Sequence, residues 1–170
     1  MVSSELKPDE RIAHLVRTLS RGFSRCLQIR LVEYNVSFGH WTYLRILWET
    51  DGITQRELSR RLGVMEPTVH SALNKMQDAD LVTRIQKDGD KKKNYVYLSN
   101  TGKLLRSKLE PMAVEVNNIA AEGLSLEMQN MLRQGLLHMS ENLACDEQKS
   151  LEVGLSMPST RQIGNIGDQS

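Results

Sequence analysis

Thr68, His70, Ser71, Asn74 and Lys75 place hydroxyl, imidazole, amide and ammonium groups close together in one short stretch. At helical spacing they share one side, while Val69, Leu73 and Met76 take the other as a buried stripe. An amide carries a donor beside an acceptor and matches the adenine edge, and an ammonium donates to guanine. A helix with this outer face is chemically equipped to read base edges in a DNA major groove. It is poorly equipped for catalysis. The chain shows no paired nucleophile and base, no phosphate loop and no metal-ligand spacing, and its histidines, His14, His40, His70 and His138, are scattered. Neither an enzyme nor a cofactor site is expected.

The elements that must position this face are written around it. Thr54 and Glu57 have capping-box spacing, with the hydroxyl capping one free N–H and the carboxylate expected to reach back to another. A helix therefore starts at Thr54, with Leu58 and Leu62 on its inner side. Gly63 supplies the left-handed residue of a sharp turn. Pro67 suits the first turn of the next helix, where its missing N–H costs nothing. Two helices joined by a glycine turn make a helix-turn-helix, and the second is the one that enters a groove. Val82 to Gln86 reads as a strand, and Asn94 to Leu98 alternates in the same way. The turn between them, Lys87 to Lys93, is rich in lysine. Alone, a lysine run is a solvated loop. Next to a recognition helix it reads as a wing that touches phosphate or the minor groove.

Charge follows the same division. The chain has 170 residues and a formal net charge of +1. From Thr54 to Lys108 there are 12 Lys and Arg against 6 Asp and Glu, while the remainder is net acidic. Positive charge thus gathers on the stretch expected to meet a polyanion. No apolar run approaches the length that spans a bilayer, and the N-terminus lacks the apolar core of a signal peptide, so a cytoplasmic protein is expected. Cys26 and Cys145 do not form a disulfide framework.

From about Val36 to Leu109 the sequence resembles the MarR family of transcriptional regulators. The resemblance lies in Ile53, Thr54, Gln55, Glu57 and Leu58, then Leu62-Gly63-Val64, Thr68-Val69, Leu81-Val82, and Leu98, Ser99 and Gly102 after the wing. It is carried by their order and spacing together. One departure stands out: the family wing usually has Asp-x-Arg, and here Asp90 is followed by Lys92. Lysine lacks the planar guanidinium fork, so phosphate contact suits this wing better than minor-groove insertion. The resemblance implies a mainly α fold with a small β-wing, a winged helix-turn-helix flanked by N- and C-terminal dimerisation helices. Residues 1–145 would form a single domain of this kind, with 36–98 the DNA-binding lobe and 8–35 and 99–145 the dimerisation helices. Residues 146–170 read as a flexible tail.

The flanking pattern supports that division. Pro8 to about Val32 reads as one helix with Ile12, Leu15, Val16, Leu19, Phe23, Cys26 and Leu27 in a broad apolar stripe. Ser37 caps a helix to Thr50, Ser99 caps one to about Gly123 with Pro111 inside it, and Ser125 caps a last one through about Cys145. That last helix is apolar over too much of its surface for a short chain to cover. A second copy, packed as a symmetric dimer, is the expected cover.

The expected function is a dimeric repressor on a near-palindromic DNA operator. The expected DNA contacts are Thr54, Gln55, Pro67, Thr68, His70, Ser71, Asn74 and Lys75, with Arg84, Asp90, Lys91, Lys92 and Lys93 from the wing. The resemblance further implies a small-molecule effector. The stretch from Gly39 to Ser59 resembles members that govern breakdown of aromatic acids, which points to an aromatic carboxylate. His14, Arg17, His40, Trp41 and Arg45 are its expected site, an aromatic wall with a few placed polar groups. The bland alternative for Trp41 is a core residue. An alternative regulator of the same fold would sense peroxide through Cys26 or Cys145.

Overall fold

The computed structural model describes residues 11–86 and 94–155. The chain divides into two compact units, Met1–Ala120 and Ala121–Ser170, each described by itself.

The first unit begins with α1, Ile12–Leu31, and a single 3-10 turn, Val32–Tyr34, that ends on Asn35 in the left-handed conformation. The expected start at Pro8 lies outside the described residues. Next comes α2, Phe38–Glu49, capped by Ser37, whose hydroxyl accepts from the His40 N–H at 3.1 Å. Gln28 of α1 secures the same corner: its amide donates to the Val36 carbonyl, and its oxygen accepts from the Phe38 N–H at 2.6 Å. Arg30 also ties α1 to α5, Asn100–Ala120, through a bidentate pair with Glu115 at 2.9 and 3.2 Å.

The winged segment then unfolds in the expected order: β1, Ile53–Thr54; α3, Gln55–Leu62; α4, Glu66–Asp78; β2, Val82–Gln86; and β3, Asn94–Leu98. The strands form one antiparallel sheet in the order β1-β3-β2, with Ile53 opposite Val96 and Arg84 opposite Val96 from the other side. Asp51 and Gly52 make the turn into β1. The Asp51 carboxylate accepts from the Gly52 and Leu98 N–H groups, and Gly52 takes φ +71° where a Cβ would lie 2.5 Å from the Tyr97 ring.

One core serves all of these elements. Leu31, Leu44, Leu47, Leu58, Leu73, Met76 and Leu109 are fully buried in it. Burying a side chain of this size contributes about 1.5–3 kcal/mol, so the helix-turn-helix is held mainly from its inner face. Trp48 joins α2 to α5: its indole N–H donates to the Gly102 carbonyl at 2.9 Å, and Arg106 donates back to the Trp48 carbonyl. Ser99 starts α5 as expected, its hydroxyl accepting from the Gly102 N–H at 2.9 Å. The helix passes unbroken through the exposed Pro111 and ends at Ala120, before the expected Gly123.

The second unit is α6, Leu126–Glu152, capped by Ser125. It runs past the expected end at Cys145, correcting the flexible-tail boundary at 146. The reason is local: Glu147, Gln148 and Lys149 are good helix formers, and the first residue that favours a stop is Gly154, at φ +83°. Residues 156–170 of the expected tail lie outside the described residues. Within the single chain α6 buries none of its side chains; Leu126, Leu137 and Leu143 are all more than half exposed. The apolar stripe of α1 divides in two, with Leu27 and Leu31 buried and Ile12, Leu15, Val16 and Leu19 exposed.

Candidate nucleic-acid interface

Thr54 and Gly63 bracket α3 as their residue types dictate. The Thr54 hydroxyl accepts from the Glu57 N–H at 3.1 Å, and Gly63 sits at φ +64°. The reciprocal half of the capping box is absent, which corrects the expectation. Arg60 and Arg61 take the Glu57 carboxylate instead, at 2.7 to 2.9 Å. Those hydrogen bonds hold the carboxyl well below its usual value, down to about 2. A carboxylate three or four residues before two arginines finds full charges closer than a backbone N–H.

The face expected to read bases is assembled. On α4 Val69, Leu73 and Met76 have no exposure, while Thr68, His70, Ser71, Asn74 and Lys75 are exposed. Pro67 lies in the first turn. At the head of this helix an open groove of about 540 Å³ is lined by Thr54, Gln55, Arg56, Glu66, Pro67, His70 and Asn94. It draws together residues from the starts of α3, α4 and β3, so four expected contacts, Thr54, Gln55, Pro67 and His70, share one concavity. Arg56, Glu66 and Asn94 join them without having been expected. The signal for Arg56 was its place in the first turn of α3, beside Thr54 and Gln55; Asn94 had none, because only strand pairing brings it there.

Arg84 is engaged by α4, donating through Nη2 to the Asn74 side-chain oxygen at 2.6 Å and through Nε to the side-chain oxygen of Gln77. Asp90, Lys91, Lys92 and Lys93 lie outside the described residues.

The expected effector residues are not gathered. His14 and Arg17 line a shallow groove of about 450 Å³ with Ala13, Thr18 and Arg21 of α1 and Arg11, its N-cap. Trp41 is buried, its ring meeting Trp48 edge-on with centroids 5.4 Å apart, so it is a core residue rather than a cleft wall. The start of α2 packs inward, and the aromatic–aromatic contact satisfies both rings. Arg45 is exposed on α2. His40 is half-buried with its Nδ1 enclosed and unbonded, and its pKa is lowered, first by burial and then by the Lys75 charge. Cys26 and Cys145 are both exposed. Cys26 thus belongs to the part of the α1 apolar stripe that the chain leaves uncovered, and is not a buried thiol.

Residues 36–93 match the MarR family. The chain is similar to the HTH-type transcriptional regulator TtmR of Methylorubrum extorquens (strain PA1), at 22% identity over 135 residues, 79% of this chain and 68% of that protein. It is similar also to the organic hydroperoxide resistance transcriptional regulator of Bacillus subtilis (strain 168), at 23% identity, covering 61% of this chain and 70% of that one. Among solved structures, a MarR family transcriptional regulator from Listeria monocytogenes complexed with 26mer DNA superposes with a TM-score of 0.75 at 23% identity, covering 88% of this chain and 99% of that chain. Among the described residues no group of His, Cys, Asp and Glu is arranged to hold a metal ion, and no helix is long and apolar enough to cross a membrane.

Proposed function

We propose that this chain, whose residues 36–93 match the MarR family, is a winged helix-turn-helix protein of that kind and regulates transcription by binding double-stranded DNA, with α4 in the major groove. The observation that carries this reading is the α4 outer face, whose five polar residues stand exposed on a fully buried stripe. Thr54, Gln55 and Pro67 lie at the backbone-facing rim, where helix starts meet phosphates. The lysines in the sequence between β2 and β3 supply further charge.

The working form is a homodimer on a near-palindromic operator, acting as a repressor. Its support is the exposed apolar surface on α1 and on α6, of a kind soluble monomers rarely present. Two recognition helices would meet half-sites about 10 bp apart. An aromatic carboxylate is the proposed effector, supported by the arginines of the α1 groove, whose forks match a carboxylate with two parallel bonds. Trp41 has no part in that site.

The test is an anisotropy titration of DNA flanking the protein's own gene, repeated across salt, beside sedimentation at micromolar concentration. Specific binding should exceed non-specific binding by roughly 10³ or more. Equal affinity for flanking and scrambled DNA would defeat the regulator reading, and a monomer would defeat the dimer. A second reading, thiol-based peroxide sensing, is favoured by the exposure of both cysteines. It requires a peroxide-dependent loss of DNA binding that Cys26→Ser or Cys145→Ser removes.

A further inference from the structure

We propose that Arg84 is a positioning residue for base readout: it locks the Asn74 amide so that α4 presents only donors at that point. The proposal rests on the DNA-reading role of α4.

A guanidinium has five N–H donors and no acceptor. Whatever it bonds must turn an acceptor toward it. In this structure its Nη2 meets the Asn74 oxygen at 2.6 Å and its Nε meets the Gln77 oxygen. Asn74 and Gln77 are three apart on α4 and so lie on one side of it. Arg84 is half-buried in β2, anchored by the pairing of that strand with β3. The two amides are therefore held by a rigid fork on a strand, not by their own helix. Each amide is planar, so fixing its oxygen fixes its N–H2 on the opposite arm. Gln77 is half-buried, while Asn74 is exposed. Only the Asn74 N–H2 is thus presented to a ligand.

This changes what Asn74 can read. A freely rotating asparagine pairs with adenine by donating to N7 and accepting from the N6 amino group. With one lone pair of its oxygen taken by Arg84 and the amide held in that orientation, Asn74 turns its N–H2 outward and favours an edge that offers acceptors alone. Guanine, with N7 and O6, offers two such acceptors and thymine, with O4, only one, while cytosine, with its amino donor, is rejected. The wing strand would then set sequence preference without touching DNA, and a lysine at this position could not substitute, because it lacks the fork.

The experiment has two arms. Wild type, N74A, R84K and R84M are each used to select sites from a randomised double-stranded DNA library. The position at which N74A loses preference identifies the Asn74 contact. At that position wild type should select guanine. In R84K and R84M the preference should move toward adenine by at least about fivefold, the low end of one base-edge contact, with the other positions unchanged. R84M keeps the aliphatic stem and removes every donor, so a fold-preserving result does not depend on lysine. In the DNA-free protein, NMR should show a slowly exchanging Arg84 Nε–H, and split, shifted side-chain N–H2 signals of Asn74 and Gln77. In R84K those signals should collapse to ordinary exposed-amide positions. Unchanged base preference in both variants overturns the proposal. So does a salt slope reduced by about 1 with preference intact, which would make Arg84 a phosphate ligand. If wild type selects no sequence at all, the regulator reading itself fails and the proposal falls with it; the NMR arm then shows separately whether the tether exists.

Discussion

Gly102→Ala tests the joint between the winged segment and α5. A Cβ at this position would lie 2.2 Å from the Leu81 carbonyl oxygen and 3.2 Å from a Leu98 methyl, where ordinary contact starts at 3.4 Å. The oxygen cannot retreat freely, because it accepts from the Ser99 N–H at 3.1 Å. Nor can Gly102, which donates to the Ser99 hydroxyl and accepts from the Trp48 indole. Overpacking of this kind costs about 1–3 kcal/mol. One weakened hydrogen bond adds roughly 1 kcal/mol, and alanine's better helix propensity returns up to about 1 kcal/mol. The net expectation is a loss of about 1–4 kcal/mol, or a melting temperature lower by roughly 2–16 °C for a chain of this size. Thermal unfolding followed by tryptophan fluorescence reads it directly, because Trp48 bonds to the mutated residue. Gly22→Ala in α1 is the control: nothing lies within 4 Å of the place its methyl would take, and propensity alone should stabilise it by up to about 1 kcal/mol. A Gly102→Ala protein that melts within a degree of wild type would mean that the first turn of α5 is not seated on Leu81.

Lys75→Ala should weaken DNA binding and lower the salt slope by about 1 if Lys75 meets phosphate, or relax one base position with the slope kept if it meets guanine; a variant unchanged in both measures would place α4 outside the groove. Trp41→Ala should cost about 3–5 kcal/mol in urea unfolding, as a core aromatic does, whereas a cost near zero would return Trp41 to a cleft wall. For His40 the folded protein disfavours the charged form, so the unfolded chain binds the proton first. Its stabilising contribution is complete above the ordinary pKa of 6.5 and is lost as pH falls through the lower folded value. The stability of wild type relative to His40→Gln should therefore decline on acidification from about pH 7 to pH 5, and a difference that rises instead would contradict the burial of that ring.

Much of the winged segment was legible because its signals are local. Thr54, Gly63, Pro67 and the alternation around Val96 each act through neighbours in sequence, so spacing sufficed to place them. The outer face of α4 followed from the periodicity of Val69, Leu73 and Met76. What spacing could not show was the choice among competing partners. Glu57 could cap a backbone N–H or pair with arginine, and only relative distances decided for Arg60 and Arg61. Arg84 has a wing's composition and a tether's position, since the amides it binds belong to another element. Trp41 and Cys26 went the other way from expectation for one reason: a helical stripe shows which residues share a side, and not which part of that side the chain itself covers.

The Gln28 amide that joins α1 to the first turn of α2 also acts as a phase marker. It fixes the rotation of α1 about its own axis at that point, and everything upstream inherits that angle. Each residue of an α-helix advances by about 100°. The count of residues between Leu19 and Gln28 therefore sets the compass bearing of the exposed Ile12, Leu15, Val16 and Leu19 surface relative to α2. One alanine inserted between Leu19 and Gln28 would leave the amide clasp in place and swing that surface by about 100°. A second copy seated there would swing with it, and its recognition helix would arrive on a different side of the duplex. The reach of the proposed dimer along DNA would thus be encoded as an integer, the number of residues in half of one helix.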